Sequence, residues 1–541
     1  MTKSLISFGF IVITTLGAYA QEFSESVQPL STKAVKGYMY EAIKDSDGNS
    51  LITYKIPGSK KSNEVFFEEY SFDKNLTFIN SKDVQEKKTQ KDDFESTVYS
   101  AYVGGSTSFD VTSMKLKLSK VVATNTWNYE KQRFVVKKII SRETIKPKND
   151  NGKVYLGYAS YNSADYKKSD VFTLAKVESK GKNADDKFYV LLFNDKLEIT
   201  EKPIDLNGSY TLVFCDQVAG EDVVMVFAPN KGAADLMKYV YFEFDISGNL
   251  KNRVEFKSPA SALLLTVAYK KDGDIYFCGS STKSTEPYEK VFNEYAPIFN
   301  PGITDGGANL ADIKWQKSSQ EKMDNFHLLK FTGNQLTFAS TTPVTDFKEK
   351  FKTAPGDKGA SPYKGSKFFI EQFTVTPSGD YLIAGQLTGT AKLGDGVTAK
   401  SYEDIVCFHF DKAGNLRAQY GLGKINTDKK SEIFSMSQKF YLSSDGKQLL
   451  WEILEVKGKK GYADFLDALA GYTTFYSLYF PRIGTINLES SSLSAFKEMG
   501  DGKYYLRKDF TSVYDKNEKS ITYIGHDEDF KKLWIGKVMI Q

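Results

Sequence analysis

Thr376-Pro-Ser-Gly-Asp-Tyr-Leu-Ile-Ala-Gly385, followed after a polar loop by Ile405-Val-Cys-Phe-His-Phe-Asp-Lys-Ala-Gly-Asn-Leu416, is the stretch whose reading decides the fold. Each half joins a Gly-containing turn to a short run of apolar, β-branched and aromatic residues, the pattern of an antiparallel strand bounded by tight turns. The doublet occurs seven times. Its first half returns at Asp45–Tyr54, Asn151–Gly157, Gly220–Phe227, Asp272–Gly279, Asp445–Trp451 and Asn517–Gly525. Its second half returns at Tyr70–Leu76, Val190–Leu197, Tyr239–Leu250, His327–Leu336, Tyr476–Leu488 and Leu533–Ile540. Asp-Gly and Gly-Asn supply the positive φ angles that primed hairpin turns require.

A further apolar run precedes the doublet at Gly37–Ile43, Leu263–Ala268 and Phe368–Phe373, and another follows it at Lys251–Phe256 and Arg417–Tyr420. Four antiparallel strands per repeat, with almost no helical periodicity, predict an all-β chain folded as a β-propeller. Seven doublets predict seven four-stranded blades in a single domain over 21–541. Residues 81–133 carry strand-like text at Thr97–Val103 and Lys115–Val122 without the doublet, so they read as an insertion or a degenerate eighth blade. The last doublet stops at Ile540, leaving no chain for an outer strand there. Because an unpaired edge is an aggregation hazard and terminal repeats need a cap, a strand within Phe23–Val35 is expected to complete the final blade.

These residues resemble a family of bacterial propeller repeats in which D-x-x-G-N-x-Y-x-x-G is followed by an apolar strand and D-x-x-G-N-L. The match is close at 375–422, fair at 262–340 and 210–256, and faint elsewhere. The resemblance implies the propeller fold and an extracytoplasmic setting; it implies no activity, because the repeat serves many functions.

Lys3, the apolar run Leu5–Leu16 and Ala18-Tyr19-Ala20 have the order of a secretory signal peptide over 1–20. No later apolar stretch is long enough for a membrane helix. Lys and Arg total 72 against 68 acidic residues, interspersed without a basic block, which argues against nucleic acid as a partner. The three cysteines, Cys215, Cys278 and Cys407, each sit in an apolar strand pattern and read as buried residues rather than a disulfide framework.

With 3 His in the chain, little room is left for His-based catalysis. His327 and His409 read as strand residues at equivalent blade positions, and His526 as the start of a solvated acidic loop, His-Asp-Glu-Asp529. Asp45-Ser-Asp-Gly-Asn49 begins like a calcium loop, but its Gly stands in the wrong place and Ile56 where a bidentate Glu belongs, so it reads as a turn. Ser443–Trp451 similarly misses the spacing of a sialidase Asp box. No catalytic residue, metal site or cofactor is expected.

Loop length says more. In a propeller the second-to-third-strand connections and the crossovers between blades open on one face. Three of the longest fall in consecutive blades, at 281–325, 342–366 and 457–473, and carry Tyr288, Phe292, Tyr295, Phe299, Trp315, Phe347, Phe351, Phe465, Leu466 and Leu469. Aromatic loop residues of this kind form protein-binding hot spots, or alternatively fold over as core. The expectation is a non-catalytic periplasmic propeller that binds a protein partner, a translocon barrel at an outer-membrane secretion assembly of type 9 being the one favoured. Use of Leu533–Ile540 as a blade strand favours retention over secretion as cargo. The alternative is an exported carbohydrate-binding or carbohydrate-active propeller.

Overall fold

A computed structural model describes residues 23–540 other than 46, 59–63, 88–91, 105–114, 129–132, 147–152, 163–168, 178–185, 195, 221, 293–321, 358, 366–367, 395–396, 426–433, 461–475 and 507–511. The proposed signal peptide lies outside the described residues.

Seven antiparallel sheets form the seven blades of a β-propeller, one for each doublet. Blade 1 is built from Tyr38–Lys44, Ser50–Ile56, Glu64–Phe72 and Phe78–Lys87, innermost strand first. Blade 2 follows with Lys153–Asn162, Ser169–Val177, Lys187–Phe193 and Ile199–Pro203, and blade 3 with Tyr210–Val218, Asp222–Pro229, Lys238–Asp245 and Leu250–Lys257. Blade 4 holds Leu263–Lys271, Asp274–Ser281, Asn325–Thr332 and Gln335–Pro343. Blade 5 holds Phe368–Val375, Tyr381–Gly394, Val397–Phe410 and Leu416–Leu422, with Phe351–Thr353 added in parallel outside the last. In blade 6, Ser437–Leu442, Gln448–Lys460 and Tyr476–Asn487 are followed only by the short pieces Ser492–Leu493 and Lys497–Glu498.

Blade 7 takes Ser520–Asp527 and Lys532–Met539 as its middle strands, with Tyr504–Tyr505 and Val513–Asp515 on the inner side. Its outermost strand is Phe23–Pro29, antiparallel to Lys532–Met539 in continuous register from Phe23↔Val538 to Pro29↔Lys532. The expected N-terminal closure is therefore present. Pro29 sits at the end of that edge strand, where a missing N–H costs no ladder bond. Trp534 Nε1 donates to Glu25 Oε2 at 3.1 Å, Tyr54 Oη and His526 Nε2 lie 2.6 Å apart, and Glu518 accepts from Lys44 and Lys537 at 3.0 Å each. Blade 7 is thus tied to blade 1 by backbone, ring and charge.

Of the stretch 81–133, residues 81–87 belong to the outer strand of blade 1, while Phe94–Gly104 and Lys115–Asn128 join Arg133–Ile145 in an extra three-stranded sheet between blades 1 and 2. Leu116 and Leu118 of its middle strand pack on Leu191 and Leu197 of blade 2.

Six of the interfaces between neighbouring blades are each an apolar layer. Val190 meets Met225 between blades 2 and 3, Phe214 meets Phe277 between 3 and 4, and Phe326 meets Phe408 between 4 and 5. Tyr420 and Trp451 join blades 5 and 6, Ile483 and Trp534 join 6 and 7, and Ile535 and Ile52 join 7 and 1. A fully buried side chain of this size contributes on the order of 2 kcal/mol, so stacking, not any single blade, carries the fold.

The motif residues have distinct tasks. In Asp411-Lys-Ala-Gly-Asn415 only Gly414 has positive φ (78°), and Asp411 Oδ1 accepts from the N–H groups of Ala413 and Asn415, each at 2.9 Å. Asp45–Asn49 and Asp245–Asn249 close in the same way. These are Asx-closed type I turns followed by a left-handed Gly and a bulge, not the primed turns expected from sequence. The primed geometry does occur at Asp272-Gly273, where φ is 52° and 86°. The last Gly of the motif is needed for a different reason: a Cβ on Gly385 would lie 1.9 Å from Phe369 O of the inner strand, and one on Gly279 2.4 Å from Leu264 O. In blade 2 the doublet reading skipped a strand, because Ser169–Val177 intervenes between its halves with no Gly turn ahead of it.

Removal of residues 21–36 strips the outer strand from blade 7 and exposes the Lys532–Met539 edge. A loss of at least about 3 kcal/mol is expected from seven fewer strand residues and their lost side-chain contacts. Calorimetry on the truncated and full chains checks it, and equal melting temperatures would contradict the closure.

Candidate partner-binding face

Hairpins joining second to third strands rise from one face of the propeller, and in blade 5 the rise is long. Beyond the irregularity at Gln386/Thr388, the ladder continues from Thr388↔Tyr402 to Gly394↔Val397. At about 3.3 Å per residue this extends the hairpin ~20 Å past the blade body. Blade 6 likewise continues from Gly458↔Leu478 to Lys460↔Tyr476 before its connection at 461–475. Blade 4 inserts 282–324 at the equivalent point, and 344–367 crosses from blade 4 to blade 5 on the same face.

The feet of these connections are bonded to one another. Met323 N–H donates to Gly365 O at 2.9 Å, joining the returning limb of the blade 4 insertion to the crossover. Further along that crossover, Asp357 accepts from Gly359 N–H at 3.0 Å and, through both carboxylate oxygens, from Gly423 N–H at 3.1 Å. Arg482 of blade 6 donates from Nη1 to Glu455 Oε2 at 2.8 Å and to Gly423 O at 2.9 Å, and its Nη2 lies 3.5 Å from Asp357 Oδ2. Glu455 Oε1 accepts from Ile425 N–H in the next crossover. One guanidinium and three backbone N–H groups thereby satisfy two carboxylates in a site where Glu455 is fully buried and Arg482 nearly so. Buried charge is tolerated only with such complete pairing. Beside it, burial pushes the Asp404 carboxyl above its usual range, although the Ser361 N–H bonded to it works the other way.

Sequence-selected residues divide in two. Tyr288, on the helical turn Tyr288–Val291, and Phe292, which caps it, are buried in the layer between blades 3 and 4. Phe347, on the helix Val344–Glu349, is fully buried with its ring 4.7 Å from Phe408 and 5.3 Å from Tyr363. These three are core anchors of the loop feet and not an exposed contact face, because interblade layers at the rim need apolar plugs. Phe351 is half-buried, its ring covering Gly421 of the outer blade 5 strand. Tyr295, Phe299, Trp315, Phe465, Leu466 and Leu469 lie outside the described residues. The Asp357–Arg482–Glu455 network was missed. Its signal was Arg482 and Glu455 standing inside otherwise apolar strand text, in a chain with six Arg.

All three histidines are buried. His327 is buried between Ser281 Oγ at 2.7 Å and Thr341 Oγ1 at 3.0 Å; His409 lies 3.1 Å from Tyr420 Oη. They are not at equivalent positions, since His327 faces Gly279 and His409 faces Leu382, nearer the turn end of its blade. His526 is a buried residue of the second strand of blade 7, not a solvated loop residue, because its ring is needed against Tyr54. All three thiols are buried and free. Among the described residues no group of three His, Cys, Asp or Glu could hold a metal ion, and no helix is long and apolar enough to cross a membrane.

No family model matches the chain, and no curated protein matches it. Among solved structures, a Synechocystis apocarotenoid oxygenase aligns at 8% identity over 89% of this chain and 93% of that one, with a TM-score of 0.26. Its cobalt-substituted form aligns over the same shares at 8% identity and 0.27. A puromycin-hydrolyzing peptidase of Mycobacterium tuberculosis aligns at 8% over 78% of this chain and 59% of that one, at 0.23. Likenesses this weak carry nothing about activity.

Replacing Arg482 with Met leaves the Glu455 carboxylate buried without its cation and is expected to cost about 3–5 kcal/mol, while adding Glu455→Leu recovers most of it. Urea unfolding of the single and double variants reads this directly.

Burial holds His327 and His409 down at about 4, against the opposing pull of a Ser340 backbone bond on the first and the Asp380 charge on the second. Both rings are neutral when folded and protonate near ~6.5 when unfolded. The unfolded chain therefore gains protons first, so their contribution to stability is complete above that value and is lost as pH falls to about 4. Stability measured across that window should fall less steeply in a His327→Gln, His409→Gln double variant.

Proposed function

We propose that this chain is an exported, non-catalytic β-propeller of the periplasm that binds a protein partner through the face above blades 4 to 6. The partner we favour is an outer-membrane barrel, with the propeller as plug or accessory subunit of a type 9 secretion translocon. One observation carries the reading: hydrogen bonds tie the blade 4 insertion to the 344–367 crossover at Met323–Gly365, and tie that crossover to blades 5 and 6 at Asp357–Gly423–Arg482–Glu455. These bonds hold the bases of the connections in fixed relation, and preorganisation reduces the ordering cost of binding. The signal-like order of residues 1–20 and the resemblance of the repeats to extracytoplasmic bacterial propellers support the setting.

The test is purification of the full chain from detergent-solubilised envelope. A single outer-membrane barrel is expected to accompany it in stoichiometric amount, and to be lost when 293–321 is replaced by a short Gly-Ser linker that leaves the melting temperature unchanged. Recovery of the propeller alone, with specific retention on a polysaccharide matrix, would overturn the proposal in favour of a carbohydrate-binding role.

A further inference from the structure

The extra sheet between blades 1 and 2 has three strands where every blade has at least four. Among the described residues its outermost strand, Arg133–Ile145, pairs on one side only, with Lys115–Asn128. That leaves the N–H and C=O groups of roughly every second residue of this 13-residue strand facing outward, with bulges at Lys137 and Ile140. Other outer edges are shorter or covered: Ile199–Pro203 has 5 residues, and Leu416–Leu422 is capped by Phe351–Thr353. The exposed residues of Phe78–Lys87 in blade 1 are nearly all polar.

Arg133–Ile145 is different in chemistry as well. Val136, Ile139 and Ile140 are 57%, 44% and 48% exposed, and Phe134 is exposed beside Trp127 and Phe94, whose rings lie 5.1 and 4.8 Å from it. Apolar side chains along an open edge are what an added strand covers. The strand also holds four cationic residues, Arg133, Lys137, Lys138 and Arg142, against one anionic, Glu143, a balance of 4 − 1 = +3. Asp93 pairs with Lys137 at 2.5 Å, and Lys138 and Arg142 are exposed. Two such strands side by side from two copies of this chain would set like charges opposite each other, which is unfavourable.

We infer that the Arg133–Ile145 edge is a strand-addition site, whose occupant is an extended segment of another protein with alternating apolar and acidic residues. The segment completes the sheet as its fourth strand through main-chain hydrogen bonds. Its apolar side chains cover Val136, Ile139 and Ile140, and its carboxylates meet Lys138 and Arg142. This site stands apart from the raised face of blades 4 to 6 and does not depend on that reading.

The experiment uses the full chain and three short synthetic peptides: one alternating Val with Glu, its Val-Lys counterpart, and the Val-Glu peptide N-methylated at alternate residues. Hydrogen exchange should show new protection of amides in 133–145 with the first peptide only. Anisotropy should show the Lys peptide at least about tenfold weaker and the N-methylated one without binding. A Lys138→Glu, Arg142→Glu variant, altered only at exposed positions, should reverse the preference between the two charged peptides. Equal binding of the N-methylated peptide, or no protection in 133–145 at saturation, overturns the proposal. So does a concentration-dependent dimer abolished by Ile140→Glu, which would assign the edge to a second copy.

Discussion

Pairing of Phe23–Pro29 with Lys532–Met539 is the constraint on which the other layers depend. Without it, Trp534 and Ile535 would stand in a blade lacking its fourth strand, and the layers between blades 6 and 7 and between 7 and 1 would share an unfinished partner. A repeat array is only as cooperative as its weakest interface. Here that interface is reinforced three ways, by the ladder, by the Tyr54–His526 contact and by Glu518 between Lys44 and Lys537. Burial alone would raise the Glu518 carboxyl, but hydrogen bonds from Lys537 and Lys44 outweigh it and hold it down at about 2. The junction between the two ends of the chain thus rests on interactions of different physical kind.

Turn chemistry made the fold legible in the residues themselves. Asp and Asn side chains close their own backbone turns, so Asp411–Asn415 announces a bend without reference to anything distant. Apolar strands such as Val223–Phe227 then follow from local pattern. The empty outer edge of blade 7 could be deduced by counting strands. Where the turn signal lapsed, as before Ser169–Val177, the reading lapsed with it: the strand text at 97–103 and 115–122 was seen without its sheet order, and Arg133–Ile145 was not read as a strand.

The face proposed for partner binding was picked out by loop length and not by chemistry. An aromatic residue near a rim has the same sequence text whether it points outward or plugs an interblade layer. Phe347 does the second, set edge-to-face against Phe326, Tyr363 and Phe408. The converse held for Arg482 and Glu455. Alternation marks a strand but does not say which buried residues converge across three crossovers, since that depends on contacts such as Arg482 with Asp357, 125 positions apart. Convergence in space is what one chain's text cannot display.

The order in which the chain is made adds a temporal meaning to its closure. Glu25 and Trp534 meet across 509 positions, and bringing ends so distant together costs roughly 5 kcal/mol of chain entropy by itself. Phe23–Pro29 must therefore wait for Lys532–Met539 while all the chain between them is made. Six blades can stack in succession while Phe23–Pro29 has no partner. Until Lys532–Met539 has been made the ring stays open, so its closure can come no earlier than the assembly of the final blade.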